Sequence, residues 1–178
     1  MKSKLPSAIR PFAALLGLVL APSAAAAAEP AADAIIPVPL NPIIAAAQRQ
    51  CTAKTPTGVG TRPLKAGAPE RPAATDYVLV NYIGYLAADG TVFDQGSAAT
   101  FPLDGVIKGF AEGIQTIGRG GIGRICIPAA LGYADKPTGP IPANSDLVFQ
   151  VELVDFKTAA EVQALQKQAE PAPSATPQ

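Results

Sequence analysis

The chain carries 14 basic and 14 acidic side chains over 178 residues and has no histidine. That length suits one compact domain with tails and is short for two, and the balanced charge offers no electrostatic footprint for nucleic acid or an anionic membrane. Without histidine, and with Cys51 and Cys126 as the only thiols, the chain lacks the ligands for a structural zinc, so no metal or cofactor is expected.

Residues 1–28, "MKSKLPSAIRPFAALLGLVLAPSAAAAA", place Lys2, Lys4 and Arg10 before an apolar run from Phe12 to Ala21 and the small residues Ala24 to Ala28. This pattern predicts a secretory signal peptide cleaved near Ala26 to Ala28. A membrane anchor is the alternative, but the run is about half of the ~20 residues that span a bilayer. No cysteine sits at the boundary to carry a lipid. The mature chain is expected to be soluble, in a periplasm or outside the cell. In such an oxidising compartment Cys51 and Cys126 can persist as one disulfide; two unpaired buried thiols are the alternative.

Residues 29–56 form an arm rich in alanine and proline, with one short helix in "NPIIAAAQRQC", capped by Asn41 and opened by Pro42. It is too short and too broken for a dimerising coiled coil, and a monomer is expected. The informative region is 57–156. "YVLVNYIGYL" alternates Val78, Val80, Tyr82, Gly84 and Leu86 against Tyr77, Leu79, Asn81, Ile83 and Tyr85, and "ADG" at Ala88 to Gly90 turns the chain into "TVFD". A helix from Val106 to about Ile117 sets Phe110, Ile114 and Ile117 on one face, with Asp104 at its start. The glycines Gly118 to Gly121, which lack the lysine and hydroxyl residue of a phosphate-binding loop, turn into the strand "GRICIP". The last strand, "DLVFQVELVDF", sets Leu147, Phe149, Val151 and Leu153 against Val148, Gln150, Glu152 and Val154. In 157–178 a surface helix from Thr158 to about Gln168 precedes a Pro/Ala-rich tail expected to be disordered.

These elements predict an α+β domain: a twisted antiparallel sheet, packed on one face only, around one short helix. Cys126 alternates with Ile125 and Ile127 and is expected on the outer face, where an arm carrying Cys51 can cross. A bridge between them would close a loop of about 75 residues, worth up to ~4 kcal/mol in the chain-entropy treatment.

Taken in order, "VNYIGYLAADGTVFD", "FPLDGVIKGFAEGIQTIGRGG", "IPAALGYA" and "GPIPANSDLVFQVELVDF" resemble the FKBP family of peptidyl-prolyl cis/trans isomerases from about Val59 to Phe156. The resemblance implies the FKBP fold, with a hydrophobic pocket between sheet and helix, and it implies rotation about X-Pro bonds without cofactor. The partners it implies are proline-containing, unfolded or partly folded exported proteins, with macrolides as inhibitors. By the same resemblance Tyr82 and Phe93 are aromatic walls, Phe149 reaches the pocket from the last strand, and Phe110 is the floor where most members have tryptophan. Val106 and Ile107 precede the helix, the Ile107 N–H holding a substrate carbonyl. Tyr133 bonds a ligand carbonyl, Ile141 closes the rim, and Asp94 matches the family's buried acid. Ala134 to Ile141 resembles a plain flap without an inserted chaperone domain. Asn81 replaces a frequent histidine, and Ala98 and Ala99 occupy the loop where some relatives offer another aromatic.

Residue by residue, blander readings exist. Phe93, Val106, Phe110 and Phe149 suit any core, Tyr82 and Tyr133 suit core tyrosines with satisfied hydroxyls, and Asp94 suits a turn. Only their joint arrangement points to a site. A noncatalytic binding module or periplasmic chaperone using the same pocket is the main alternative, favoured by the missing tryptophan. A hydrolase built on Asp94 and Glu112 has no motif behind it.

Overall fold

The computed structural model describes residues 31–36 and 43–169. The expected signal segment, the expected Asn41 cap with Pro42, and the tail from residue 170 lie outside the described residues. Six strands form one antiparallel sheet: β1 (Ala53–Lys54), β2 (Gly60–Lys65), β3 (Tyr77–Leu86), β4 (Val92–Pro102), β5 (Ile122–Ile127) and β6 (Leu147–Lys157), in the order β1-β2-β5-β6-β3-β4. Helix α1 (Lys108–Ile114) packs against the sheet, and α2 (Ala159–Ala169) follows β6. This is the α+β fold that the alternation predicts.

The inner face gathers the apolar residues that the period-two pattern singles out. Val78, Val80, Tyr82 and Leu86 of β3, Ile125 and Ile127 of β5, and Leu147, Phe149, Val151 and Leu153 of β6 form one buried cluster with Phe110, Ile114 and Ile117. The helix comes close to β5 because Gly109 and Gly113, one turn apart, face it. A β-carbon at Gly109 would overlap Ile127, and one at Gly113 would overlap Ile125.

The helix is shorter than its sequence predicts, at both ends. Leu103–Gly105 forms a separate 3-10 turn containing Asp104, and Ile107, in extended backbone, takes the N-cap with no side chain capping it; Asp104 does not cap α1. At the other end, the Gln115 side chain donates to the Ala111 carbonyl and the Thr116 hydroxyl to Gly113. Such local bonds compete with helix propagation. Ile117 remains buried, in a turn closed by its N–H on the Ile114 carbonyl.

The expectation of a sheet packed on one face only is corrected. Along β3 the burial alternates as far as Asn81 and is then continuous from Tyr82 to Leu86, because a second cluster covers the outer face there. Ile83, Tyr85 and Val148 pack against Ile36 and Ile44 of the arm. Polar groups fasten the arm down. The Gln150 carboxamide bonds both the N–H and the carbonyl of Ile36, at 2.9 Å each, and the Tyr85 hydroxyl donates to Gln48 at 2.7 Å. Fully buried Arg124 donates from Nη1 to the carbonyls of Ala32 and Gln50. The arm's helix is only a 3-10 turn, Ala46–Arg49, since Ile43 bridges to Thr91 and the Ile44 N–H bonds Gly90 in extended backbone.

Cys51 and Cys126 are bonded on this outer face, with 6.2 Å between Cα atoms. Gly60 leaves room for them: a β-carbon there would lie 2.9 Å from both cysteine β-carbons. At the C-terminus, Thr158 and Glu161 form a reciprocal capping box, each side chain bonding the other's backbone N–H, at 2.7 and 3.2 Å. α2 has no buried residue.

Two stability outcomes follow. Gly113→Ala, which raises helix propensity, is expected to destabilise by about 1–3 kcal/mol through overpacking against Ile125, read as a lower urea midpoint. Replacing both cysteines by serine is expected to cost up to about 4 kcal/mol, measured the same way under non-reducing conditions.

Candidate functional site

Five aromatic rings from four elements meet on the inner face. Phe110 of α1 lies edge-on to Phe149 of β6, with centroids 4.8 Å apart, and Phe149 is edge-on to Phe93 of β4 at 5.5 Å. Tyr82 of β3 stands 6.2 Å from Phe110 and 6.4 Å from Phe149. Gly84 makes this possible, since a β-carbon there would come within 2.6 Å of the Phe149 ring and 2.8 Å of Phe93. Tyr82, Phe110, Phe149 and Ile141 are buried, while Phe93, Val106, Ile107 and Tyr133 pack against them half-buried and keep part of their apolar surface open to solvent. Every apolar or aromatic residue implied for the site is thus in one cluster. Cys51 and Cys126 are not; they lie across the sheet.

A fifth ring was missed. Phe101, late in β4, lies 5.7 Å from Tyr82 and 6.4 Å from Phe110. Period two counted from Phe93 reaches it, eight residues on, but a strand ending at "TVFD" stops short, because Ala98 and Ala99 were expected in a loop, whereas β4 runs straight through them and carries an extra residue there. The segment "FPLDGVI" was the available signal.

Asp94 is corrected in its burial. Its side chain is exposed, because β4 is the edge strand and no described strand pairs with its outer side. Its Oδ2 accepts a 2.8 Å hydrogen bond from the Tyr82 hydroxyl, and its Oδ1 accepts from the Gln95 N–H. Burial raises the Tyr82 phenol well above its ordinary value, and the bond to Asp94, its charge and nearby Tyr133 push the same way. On the opposite face burial raises Tyr85 to about 12, partly offset by Arg124 and Arg49.

Among the described residues, the Ile107 N–H donates to no group of the chain, as the first amides of a helix do. The rim opposite is a tight turn in which Thr138 and Ile141 exchange both backbone bonds, at 2.9 and 3.0 Å. Glu112 is engaged by the Thr57 hydroxyl at 2.6 Å. Among the described residues no group of three His, Cys, Asp or Glu side chains is placed to hold a metal, and no helix is long and apolar enough to cross a membrane. A groove of about 500 Å³ lies elsewhere, beside the disulfide and Asp146. The arrangement offers apolar walls, one hydroxyl–carboxylate pair and one free amide, suited to holding a peptide and with no nucleophile and base in partnership.

An absorbance titration of the folded chain should show Tyr82 and Tyr85 still protonated at a pH where the tyrosines of the unfolded chain have ionised. Both raised groups keep their proton in the folded state where the unfolded chain loses it, above about pH 10. Their stabilisation is therefore present below pH 10 and is lost as pH rises toward 12, seen as a falling denaturation midpoint.

A sequence profile described as FKBP-type peptidyl-prolyl cis-trans isomerase matches residues 68–154. The chain is 43% identical over 112 residues to "FKBP-type peptidyl-prolyl cis-trans isomerase FkpA" of Escherichia coli K12, covering 61% of this chain and 41% of that protein. It is 37% identical over 110 residues to "Outer membrane protein MIP" of Legionella longbeachae, covering 59% of this chain and 47% of the relative. The chain thus spans less than half the length of these relatives. Among solved structures it is similar to FkpA from Escherichia coli, with TM-score 0.57, 41% identity, and coverage of 60% of this chain and 52% of that one. It is also similar to a peptidyl-prolyl cis-trans isomerase from Pseudomonas syringae pv. tomato, with TM-score 0.57, 30% identity, and coverage of 60% and 80%. The sheet, the helix it cradles and these likenesses together make the chain a member of the FKBP-type peptidyl-prolyl cis-trans isomerase family.

Proposed function

We propose that the chain is an exported peptidyl-prolyl cis/trans isomerase that assists folding of other exported proteins by rotating their X-Pro bonds. The observation that carries this reading is the five-ring cluster beside the Tyr82–Asp94 pair and the free Ile107 amide.

The reaction has no proton to move and no bond to break. Its obstacle is amide resonance, a barrier of about 18–20 kcal/mol that falls as the peptide link leaves planarity. A twisted amide loses conjugation and part of its carbonyl dipole, so a dry apolar site favours it over the planar form. In this scheme the proline ring rests over Phe110 between Tyr82, Phe93 and Phe149, with Val106 and Ile141 at the rim. The Ile107 N–H and the Tyr133 hydroxyl hold flanking carbonyls. Asp94, tied to Tyr82, orients the wall and polarises the twisted carbonyl; it does not shuttle a proton. Lowering the barrier by about 1.4 kcal/mol already gives tenfold in rate, which is why a chain without histidine suffices. The signal segment at 1–28 supports a soluble protein in a periplasm or outside the cell, and the family supports macrolides as pocket ligands.

The second reading, a noncatalytic holder of proline-bearing segments, is favoured by Phe110 itself, which lacks the indole N–H and the stacking area of the usual tryptophan. A protease-coupled assay on an X-Pro peptide separates the two. Acceleration above background is expected, with kcat/KM reduced about tenfold in Asp94→Ala, about 1.4 kcal/mol of transition-state stabilisation. A folded chain that binds the peptide without accelerating isomerisation would be a binding module.

A further inference from the structure

Asn81 lies on the outer face of β3, away from the rings, yet both ends of its carboxamide are bonded. Oδ1 accepts from the Ala98 N–H and Nδ2 donates to Glu152 Oε2, each at 2.8 Å. Ala98 is a non-glycine residue with φ of 51°, a backbone state that needs outside support. It sits in the bulge of β4: Tyr82 is opposite Gly96, but Val80 is opposite Ala99, so two steps on β3 face three on β4.

That extra residue decides which side chains of β4 reach the pocket. A one-residue slip in a strand sends every following side chain to the other face. With the bulge in place, Ala99 and Phe101 both pack on the inner cluster, Phe101 against Tyr82 and Phe110. On the other side of the bulge Gly96 lies against the Tyr82 ring, where a β-carbon would come within 2.7 Å, and Asp94 receives the Tyr82 hydroxyl. The bulge therefore sets both flanks of Tyr82.

We infer that Asn81 is a positioning residue for the proposed reaction, clamping the bulge at Ala98 from the outer face so that Asp94 and Phe101 hold Tyr82 in the pocket wall. The inference rests on the isomerase reading for its consequence in catalysis, but not for the clamp itself. Glu152 is part of the device, since its carboxylate fixes which way the Asn81 carboxamide faces.

Three measurements on the full mature chain test this. Amide exchange by NMR in the unmodified protein should show the Ala98 N–H slowed by at least about tenfold relative to its unstructured rate; free exchange would overturn the clamp. In Asn81→Ala, at a temperature where the chain is fully folded, Tyr82 should ionise at lower pH than in the unmodified protein while Tyr85 stays at about 12. An unmoved Tyr82 would overturn the positioning role, because a merely structural loss leaves that signature untouched. In the X-Pro assay Asn81→Ala and Asn81→Asp should each lose about tenfold in kcat/KM. The pair Asn81→Asp with Glu152→Gln should recover most of it, since the aspartate accepts from Ala98 and the new amide donates to the aspartate. Failure of the pair to recover would overturn the inference. If the unmodified chain proves silent in the assay, the isomerase reading falls by itself, and the exchange and tyrosine measurements decide the clamp.

Discussion

The close approach of α1 to β5 is the constraint on which the rest of the structure depends. A helix of seven residues has little stability of its own, and here it is held by burial of Phe110 and Ile114, and of Ile117 in the turn that follows, against the inner face of the sheet. Gly109 and Gly113 let the helix sit low enough for Phe110 to reach Phe149 and Tyr82. Were the helix held higher by a β-carbon at either position, the floor would lift away from the walls. The same geometry leaves Ile107 at the helix start with an unused N–H beside those walls. Fold and candidate site are thus products of a single contact.

The sheet does two jobs, one on each face. On the inner face its apolar positions are spent on the helix and the ring cluster. On the outer face, β3 and β6 carry Ile83, Tyr85 and Val148, which need cover, and the arm supplies it with Ile36 and Ile44. The disulfide then ties that cover to β5, the strand on which α1 rests. Order on the outer face is in this way transmitted to the strand that carries the helix.

Much of this was legible in the residues because strong alternation has few interpretations. Tyr77 to Leu86 reads as a strand and is one to the residue, and the inward set of the last strand is also as read. The errors have physical origins. β2, with Pro63 and a register shift beside it, has no alternation to detect; it is recruited by pairing with β5. The outer face looked free because the arm's apolar residues, Ile36 and Ile44, are scattered among alanine and proline. Of the two places open to Asp104, capping the helix or preceding it, the structure has the second, in a 3-10 turn of its own. Phe101 was hidden because Gly96, Ala98 and Ala99 carry no strand signal, so the strand that begins at "TVFD" reads as ending before it. The site residues taken from the family resemblance assemble as one cluster, but Asp94 proves exposed, for burial depends on strand order and edge position, which local sequence does not encode.

The buried guanidinium of Arg124 carries a consequence for how this chain can vary. One nitrogen grips the carbonyls of Ala32 and Gln50, main-chain atoms that every amino acid supplies, so the two ends of the covering segment are fastened without regard to which side chains lie between. Lengthening a loop whose ends are already pinned is cheap, about 0.6 kcal/mol for each doubling. Between these two anchor points the chain can therefore accept changes of length, provided Ile36 and Ile44 keep their places over Ile83, Tyr85 and Val148, so that new surfaces arise on the back of the molecule while the working front is left undisturbed.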